Sequence, residues 1–268
     1  MRTNPVKAAL RAGRPQVGSW LSAASPIAAR FMARAGFPWI TLDIEHSPVD
    51  WETAAVIFAS LAEAGCVPLA RVPSNNPTDV KRALDSGAYG IVFPMVNTAA
   101  EAEQAVAACK YAPEGRRSVG GSLHALNFDC PPGEYYARAN EEVLVVVQAE
   151  HIQAVEHCEA IFAVPGIDAM FVGPNDLMSS LGIAPALESD DPRYLQAVAH
   201  LLATAQRSGI APGMHVGDAE AALRRVAEGW RFVAIASELA FMAQRAGEVA
   251  SAVAEANGAA SRGGQVRY

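Results

Sequence analysis

Strand-like and helix-like segments alternate eight times along this chain, and few architectures accept that rhythm. The strand-like runs are QVGSWLS (16–22), PWITLDIE (38–45), VPLARVP (67–73), YGIVFPMV (89–96), EVLVVVQAE (142–150), DAMFVGPND (168–176), APGMHV (211–216) and RFVAIAS (231–237). Between them lie amphipathic runs such as SPIAARFMARAG, DWETAAVIFASLAEAG and TAAEAEQAVAACKYA, several of them closing on Gly36, Gly65 or Gly87 as helix C-termini do. Parallel neighbours need a crossover between them, usually a helix, so eight such units predict an α/β fold of the TIM (β/α)8 barrel type, preceded by a lead-in helix over 4–13. A doubly wound open sheet is the rival. It prefers a Gly-rich dinucleotide turn after its first strand, and GSWLSAASP contains no G-x-G-x-x-G.

A length of 268 residues suits one barrel. We assign residues 1–257 to a single domain and 258–268 (GAASRGGQVRY), small, polar and without apolar period, to a flexible tail. The connection over 113–140 exceeds what a minimal barrel needs, and structureless connections of that length are usually functional, so an active-site loop is expected there. A formal net charge of −7, with no basic run beyond the pairs Arg116/Arg117 and Arg224/Arg225, argues against nucleic acid and against an anionic membrane surface. Cys66, Cys109, Cys130 and Cys158 are far apart and form no C-x-x-C pair, which reads as reduced and structural. The N-terminus MRTNPVKAALRAG has no apolar signal-peptide core, and a cytoplasmic location is expected.

Barrel enzymes draw their catalytic groups from the C-terminal ends of the strands and the loops that follow. Polar residues gather at those positions here: Asp43, Glu45 and His46 after the second strand, Arg71 after the third, Gln148 and Glu150 after the fifth, Gly173-Pro174-Asn175-Asp176 after the sixth, and His215 on the seventh. Glu150 and Asp176, with Gln148 two residues earlier on the same strand face, make a half-filled oxygen-ligand set suited to Mg²⁺ or Mn²⁺. Capping of the following helix is the alternative for either carboxylate taken singly. Arg71 offers a planar fork for a carboxylate or enolate oxygen, against a surface ion pair. His46, among acids, is a proton-transfer candidate, against a hydrogen-bonded structural histidine. His151, His157 and His200 read as ordinary helix or helix-entry residues, while His124 and His215 receive no assignment. The three lysines, Lys7, Lys81 and Lys110, all lie away from strand ends, so a Schiff-base mechanism has no candidate.

The ordered series GSWLS, AGFPWITLDIEHSP, ARVPSNNP, VFPMV, APEGRRSVGG, VVQAE and FVGPNDL resembles the HpcH/HpaI aldolases, the metal-dependent class II pyruvate aldolases, over roughly residues 4 to 255. The resemblance implies reversible aldol cleavage of a 4-hydroxy-2-oxo acid to pyruvate, or a close 2-oxo acid, and an aldehyde. It implies a divalent ion (Mg²⁺, Mn²⁺ or Co²⁺) on Glu150 and Asp176, a substrate carboxylate on the amides of Gly173-Pro174-Asn175-Asp176, and Gln148 beside it. Arg71 is implied to stabilise the enolate and His46 to move a proton, with Asp43 as an orienting group and Asp85 as a partner of that histidine from a neighbouring subunit. The implied assembly is a homo-oligomer, a hexamer built as a trimer of dimers with an exchanged C-terminal helix. The sequence departs from the family pattern at Ala149 and His151 and in SLHALNFD of the long connection, which leaves the aldehyde unnamed. A carbon–carbon lyase acting on an acyl-CoA or a phosphoenolpyruvate-like substrate, and a non-catalytic metabolite-binding barrel, are the competing readings.

Overall fold

In the computed structural model, which describes residues 1–257, all eight runs become parallel strands. They are β1 (Gln16–Leu21), β2 (Trp39–Asp43), β3 (Val67–Arg71), β4 (Gly90–Phe93), β5 (Leu144–Gln148), β6 (Ala169–Val172), β7 (Ala211–Val216) and β8 (Phe232–Ser237). Each pairs with the next and β8 returns to β1, closing a barrel with helices outside it. All eight strands end before or at the last residue of the expected run, and the shortening is greatest at the polar tip of β6. Glu45, Glu150 and Asp176 lie past the last ladder partners, in the turns, where the chain leaves the sheet. Apolar strand residues fill the interior; Trp39, for example, is fully buried and stacks on Phe232 with ring centroids 4.2 Å apart.

The helix Pro5–Arg11 closes the N-terminal end of the barrel. Asn4 caps it by accepting from the Val6 and Lys7 amides, while Lys7 Nζ donates to the Val143 carbonyl at 2.7 Å and pairs with Asp168 at 2.9 Å. Lys110 Nζ donates to the carbonyls of Asn140 and Val143. Two of the three lysines are therefore engaged at the end opposite the polar strand tips.

The segment 113–140 overturns the expectation of an active-site loop within its own chain. It contains the helices Leu123–Asn127 and Pro132–Glu142 and packs where β4 begins. There Phe128 stacks on Tyr89 at 3.7 Å, the Tyr89 hydroxyl donates to the Asn127 carbonyl, and Asn127 Nδ2 donates to the Gly87 carbonyl at 3.0 Å. The reason is topological: a helix-to-strand connection in a parallel barrel must return to the N-terminal rim. The last described helix, Glu238–Ala256, buries only Glu238 and leaves Met242, Val249 and Val253 exposed. The tail expected over 258–268 lies outside the described residues. Among those described, no helix is long and apolar enough to cross a membrane.

Burial, and next the nearby Lys7 charge, pull the Lys110 ammonium down to about 8. The unfolded chain then holds a proton between that value and roughly 10.4 that the folded chain has released, so this group lowers stability most below pH 8 and stops doing so as pH rises past 10. The urea midpoint of the protein relative to Lys110→Met should rise between pH 8 and 10. A pH-independent difference would show that Lys110 titrates normally.

Candidate active site

Four strand ends supply one inward-facing layer: Trp20 from β1, Arg71 from β3, Gln148 from β5 and His215 from β7. Together with Phe171, Glu150, the turn Gly173–Asp176 and Leu187 they line a cavity of about 150 Å³ at the C-terminal rim. Alternate strands contributing to one layer is the packing expected of a TIM barrel, although such layers are ordinarily apolar.

Asp43 and Arg71 are cross-strand partners in the ladder, so their side chains meet on one face. Arg71 Nε donates to Asp43 Oδ1 at 3.0 Å and Nη2 to Oδ2 at 2.6 Å, with Glu45 Oε2 a further 3.3 Å from Nε. The guanidinium lies over the Trp20 ring at 4.5 Å. Burial opposes its charge, but Asp43 and Glu45 outweigh burial and raise its pKa. The surface ion pair considered for Arg71 is thus replaced by a buried, bidentate one.

Asp43 also accepts the amides of Glu45 and His46 on Oδ1, at 3.1 and 3.2 Å, which folds the strand tip into a tight turn. It grips the backbone of His46 and the side chain of Arg71. The His46 imidazole itself is 64% exposed and has Glu45 Oε2 at 3.6 Å from Nε2. Burial raises the Glu45 carboxyl, against the lowering effect of Arg71 and His46.

Glu150 is buried on the cavity wall. Its carboxylate accepts from the Met95 amide at 2.9 Å and from Gln148 Nε2 at 2.6 Å. Burial pushes its pKa up to about 7; the Met95 amide works against this and the Asp176 charge adds to it. Met95 presents that amide from a left-handed conformation, φ +52°, uncommon outside glycine. Gly173 makes room for the carboxylate, since a Cβ there would lie 2.2 Å from Glu150 Oε2.

Neither carboxylate is a helix cap. His151 Nδ1 caps the helix after β5 by accepting from the Gln153 amide, and the helix Pro174–Ser180 begins at Gly173 without a side-chain cap, with Asp176 in its first turn. Two carboxylates are therefore left facing one cavity. Gln148 Oε1 is buried with no hydrogen-bond partner. Among the described residues no group of three or more His, Cys, Asp or Glu side chains converges as a complete protein cage would. An all-oxygen set of two carboxylates beside an unpartnered amide oxygen fits a hard divalent ion that keeps waters or takes ligand oxygens in its remaining positions.

Asp85 does not join this cluster within one chain. It ends the helix Pro77–Asp85 on the N-terminal side of the barrel, bound to Arg117 Nη2 at 2.7 Å with His124 Nδ1 at 3.9 Å. His124 is fully buried there, and burial, then the Arg117 charge, push its pKa down to about 4. The reading of the sequence missed Trp20, Met95, Phe171 and Leu187. Trp20 had a signal, its place at the end of a barrel strand; Leu187 had none, because it reaches the cavity from an irregular connection.

The family model described as HpcH/HpaI aldolase/citrate lyase matches residues 16–244. The hydroxypyruvate/pyruvate aldolase of Rhizorhabdus wittichii is 34% identical over 92% of this chain and 97% of its own. The 5-keto-4-deoxy-D-glucarate aldolase of Klebsiella pneumoniae subsp. pneumoniae is 39% identical over 88% of this chain and 91% of its own. Among solved structures, an HpcH/HpaI aldolase/citrate lyase family protein from Burkholderia cenocepacia J2315 superposes with a TM-score of 0.86 at 34% identity, covering 95% of this chain and 100% of that one.

If Glu150 holds a cation, its placement depends on the absent side chain at 173. Gly173→Ala should weaken Mn²⁺ binding by roughly the 10- to 100-fold seen when a ligand's support is removed, with the barrel still folded by circular dichroism. Unaltered Mn²⁺ affinity in calorimetry would show that Glu150 is not a ligand.

Proposed function

The chain belongs to the HpcH/HpaI aldolase/citrate lyase family, and we propose that it catalyses metal-dependent, reversible aldol cleavage of a 4-hydroxy-2-oxo acid to pyruvate, or a close 2-oxo acid, and an aldehyde. The observation that carries this reading is the junction of Glu150, Asp176 and Arg71 around one small cavity at the catalytic rim of the barrel. The absence of a lysine from that cavity supports it, because an aldolase without a Schiff base needs another way to hold enolate charge.

Glu150 and Asp176 would hold the divalent ion, Mg²⁺, Mn²⁺ or Co²⁺. When bound, it supplies Lewis-acid polarisation of the 2-oxo group. Arg71 sets a fixed positive charge beside the developing enolate oxygen, and Asp43 keeps the fork from rotating, so little reorganisation is needed in the transition state. Amides at the start of the helix Pro174–Ser180, from Asn175 and Asp176, receive the substrate carboxylate, and Gln148 Oε1 remains available to a donor from substrate or water. His46, at the exposed rim, moves the proton of the C4 hydroxyl, a group that must pass between solvent and substrate in both directions. Asp85 would act on His46 only across a subunit boundary, since within one chain it lies at the opposite rim. A cytoplasmic hexamer with an exchanged C-terminal helix belongs to the same reading, and the exposed apolar residues Met242, Val249 and Val253 support such an exchange. The rival acyl-CoA or phosphate-bearing substrates are disfavoured, as Arg117 is buried and bound to Asp85 and the Tyr135 hydroxyl.

Exchange of the pyruvate C3 protons with deuterated water, followed without any aldehyde, tests the proposal. It should require Mn²⁺ or Mg²⁺, stop with a chelator, and fall by roughly a hundredfold or more in Glu150→Ala and Asp176→Ala, given the several kcal/mol a Lewis acid contributes. Borohydride with pyruvate should trap nothing. A trapped adduct, or exchange indifferent to chelation, would overturn it.

A further inference from the structure

Of the four residues in the inward layer, Arg71 is bound by Asp43, Gln148 is bound through Nε2 by Glu150 with Oε1 left unpartnered, and Trp20 is apolar but for an unpartnered Nε1. His215 is the fourth. Its side chain faces the same cavity, tilted against Trp20 with ring centroids 5.9 Å apart. No group among the described residues hydrogen-bonds to its imidazole. Burial, then the Arg71 charge, push its pKa down to about 4, so the ring is neutral near pH 7 and offers one N–H and one lone pair. The residue is half-buried, and an imidazole lining a barrel cavity normally finds a partner in the protein, in water or in whatever fills the cavity.

The chemistry of a 2-oxo acid says which part of it lies against His215. Its carboxylate and ketone oxygens match the charged side of the cavity, Arg71 and the turn Gly173–Asp176. Its third carbon is left with the rest of the lining, which is Trp20, Phe171, Leu187 and His215. Three of these are apolar or nearly so. A methyl group on that carbon can use the three and gains nothing from the imidazole, whereas a hydroxyl there can donate to it or accept from it. A cavity of about 150 Å³ far exceeds the ~10–15 Å³ that one water needs, so one added oxygen fits.

We propose that His215 is a specificity-determining residue of the donor pocket, hydrogen-bonding a C3 hydroxyl and so favouring 3-hydroxy-2-oxo acids, of which hydroxypyruvate is the smallest. This rests on the aldolase reading of the site. Arg71 and the carboxylates fix the common oxo-acid portion, and His215 distinguishes donors by what the third carbon carries. A site that hydrogen-bonds a substrate hydroxyl rejects the analogue lacking it, because the buried polar group is then left unpaired.

The test measures Mn²⁺-dependent C3-proton exchange, as kcat/KM, and calorimetric affinity for hydroxypyruvate and pyruvate in the parent, His215→Leu, His215→Phe and His215→Asn. The hydroxypyruvate-to-pyruvate ratio, in both readouts, should fall about tenfold in the leucine and phenylalanine variants, the size of one neutral hydrogen bond. His215→Asn, which keeps a donor and an acceptor, should recover part of it. Two apolar variants of different shape guard against misfolding of either. A ratio within twofold of the parent in the apolar variants overturns the inference, and so does an equal fall in the asparagine variant, which assigns the effect to shape. A parent that exchanges neither donor overturns the aldolase reading and this inference with it. A parent that exchanges pyruvate while the ratio stays fixed overturns the inference alone.

Discussion

Closure of eight parallel strands sorts this molecule into two ends. Every strand arrives at one rim with its C-terminal residue, so polar groups separated by more than a hundred positions, such as Asp43 and Asp176, converge there. Every helix-to-strand connection is returned to the other rim, which collects Asp85, Arg117, His124, Lys7 and Lys110. The site and the closing plug are both consequences of strand direction.

At the first rim the charges do not balance within the chain. Four carboxylates, Asp43, Glu45, Glu150 and Asp176, surround one guanidinium, and that guanidinium is held mainly by Asp43 with Glu45 beside it. Glu150 and Asp176 are left to repel each other in a site from which one of them has lost most of its water. Either a proton or a cation relieves that repulsion. The same geometry explains why Gly173 and the left-handed Met95 occur where they do: one clears space for the Glu150 carboxylate, and the other turns its amide toward it.

At the second rim Asp85 is held by Arg117, and Arg117 by the Tyr135 hydroxyl and the Tyr111 ring, while both ring nitrogens of the buried His124 lack a hydrogen-bond partner. A carboxylate fixed in this way at an edge of the barrel is suited to meeting a group from outside its own chain. That contrasts with the first rim, where the unmatched charge faces a cavity within the chain.

The fold was legible because its signal is local and repeated: short, nearly continuous apolar runs buried on both faces alternate with amphipathic ones. Arg71, Glu150 and Asp176 were legible for the same reason, as charged residues that a purely structural strand end has little use for. What the local pattern could not carry was which groups meet. Asp43 was expected as an orienting group, and that it meets the Arg71 side chain follows from the β2–β3 register, which is a property of two strands. The long segment over 113–140 read as a loop because its helices are short and Gly- and Pro-flanked, and its place at the far rim follows from chain direction alone. By itself the sequence determined the barrel and the residue types at its catalytic rim. Only the tertiary structure decided that Asp43 grips Arg71, that Gly173 admits Glu150, and that His215 faces the cavity unpartnered, because each depends on distances between strands far apart in the chain.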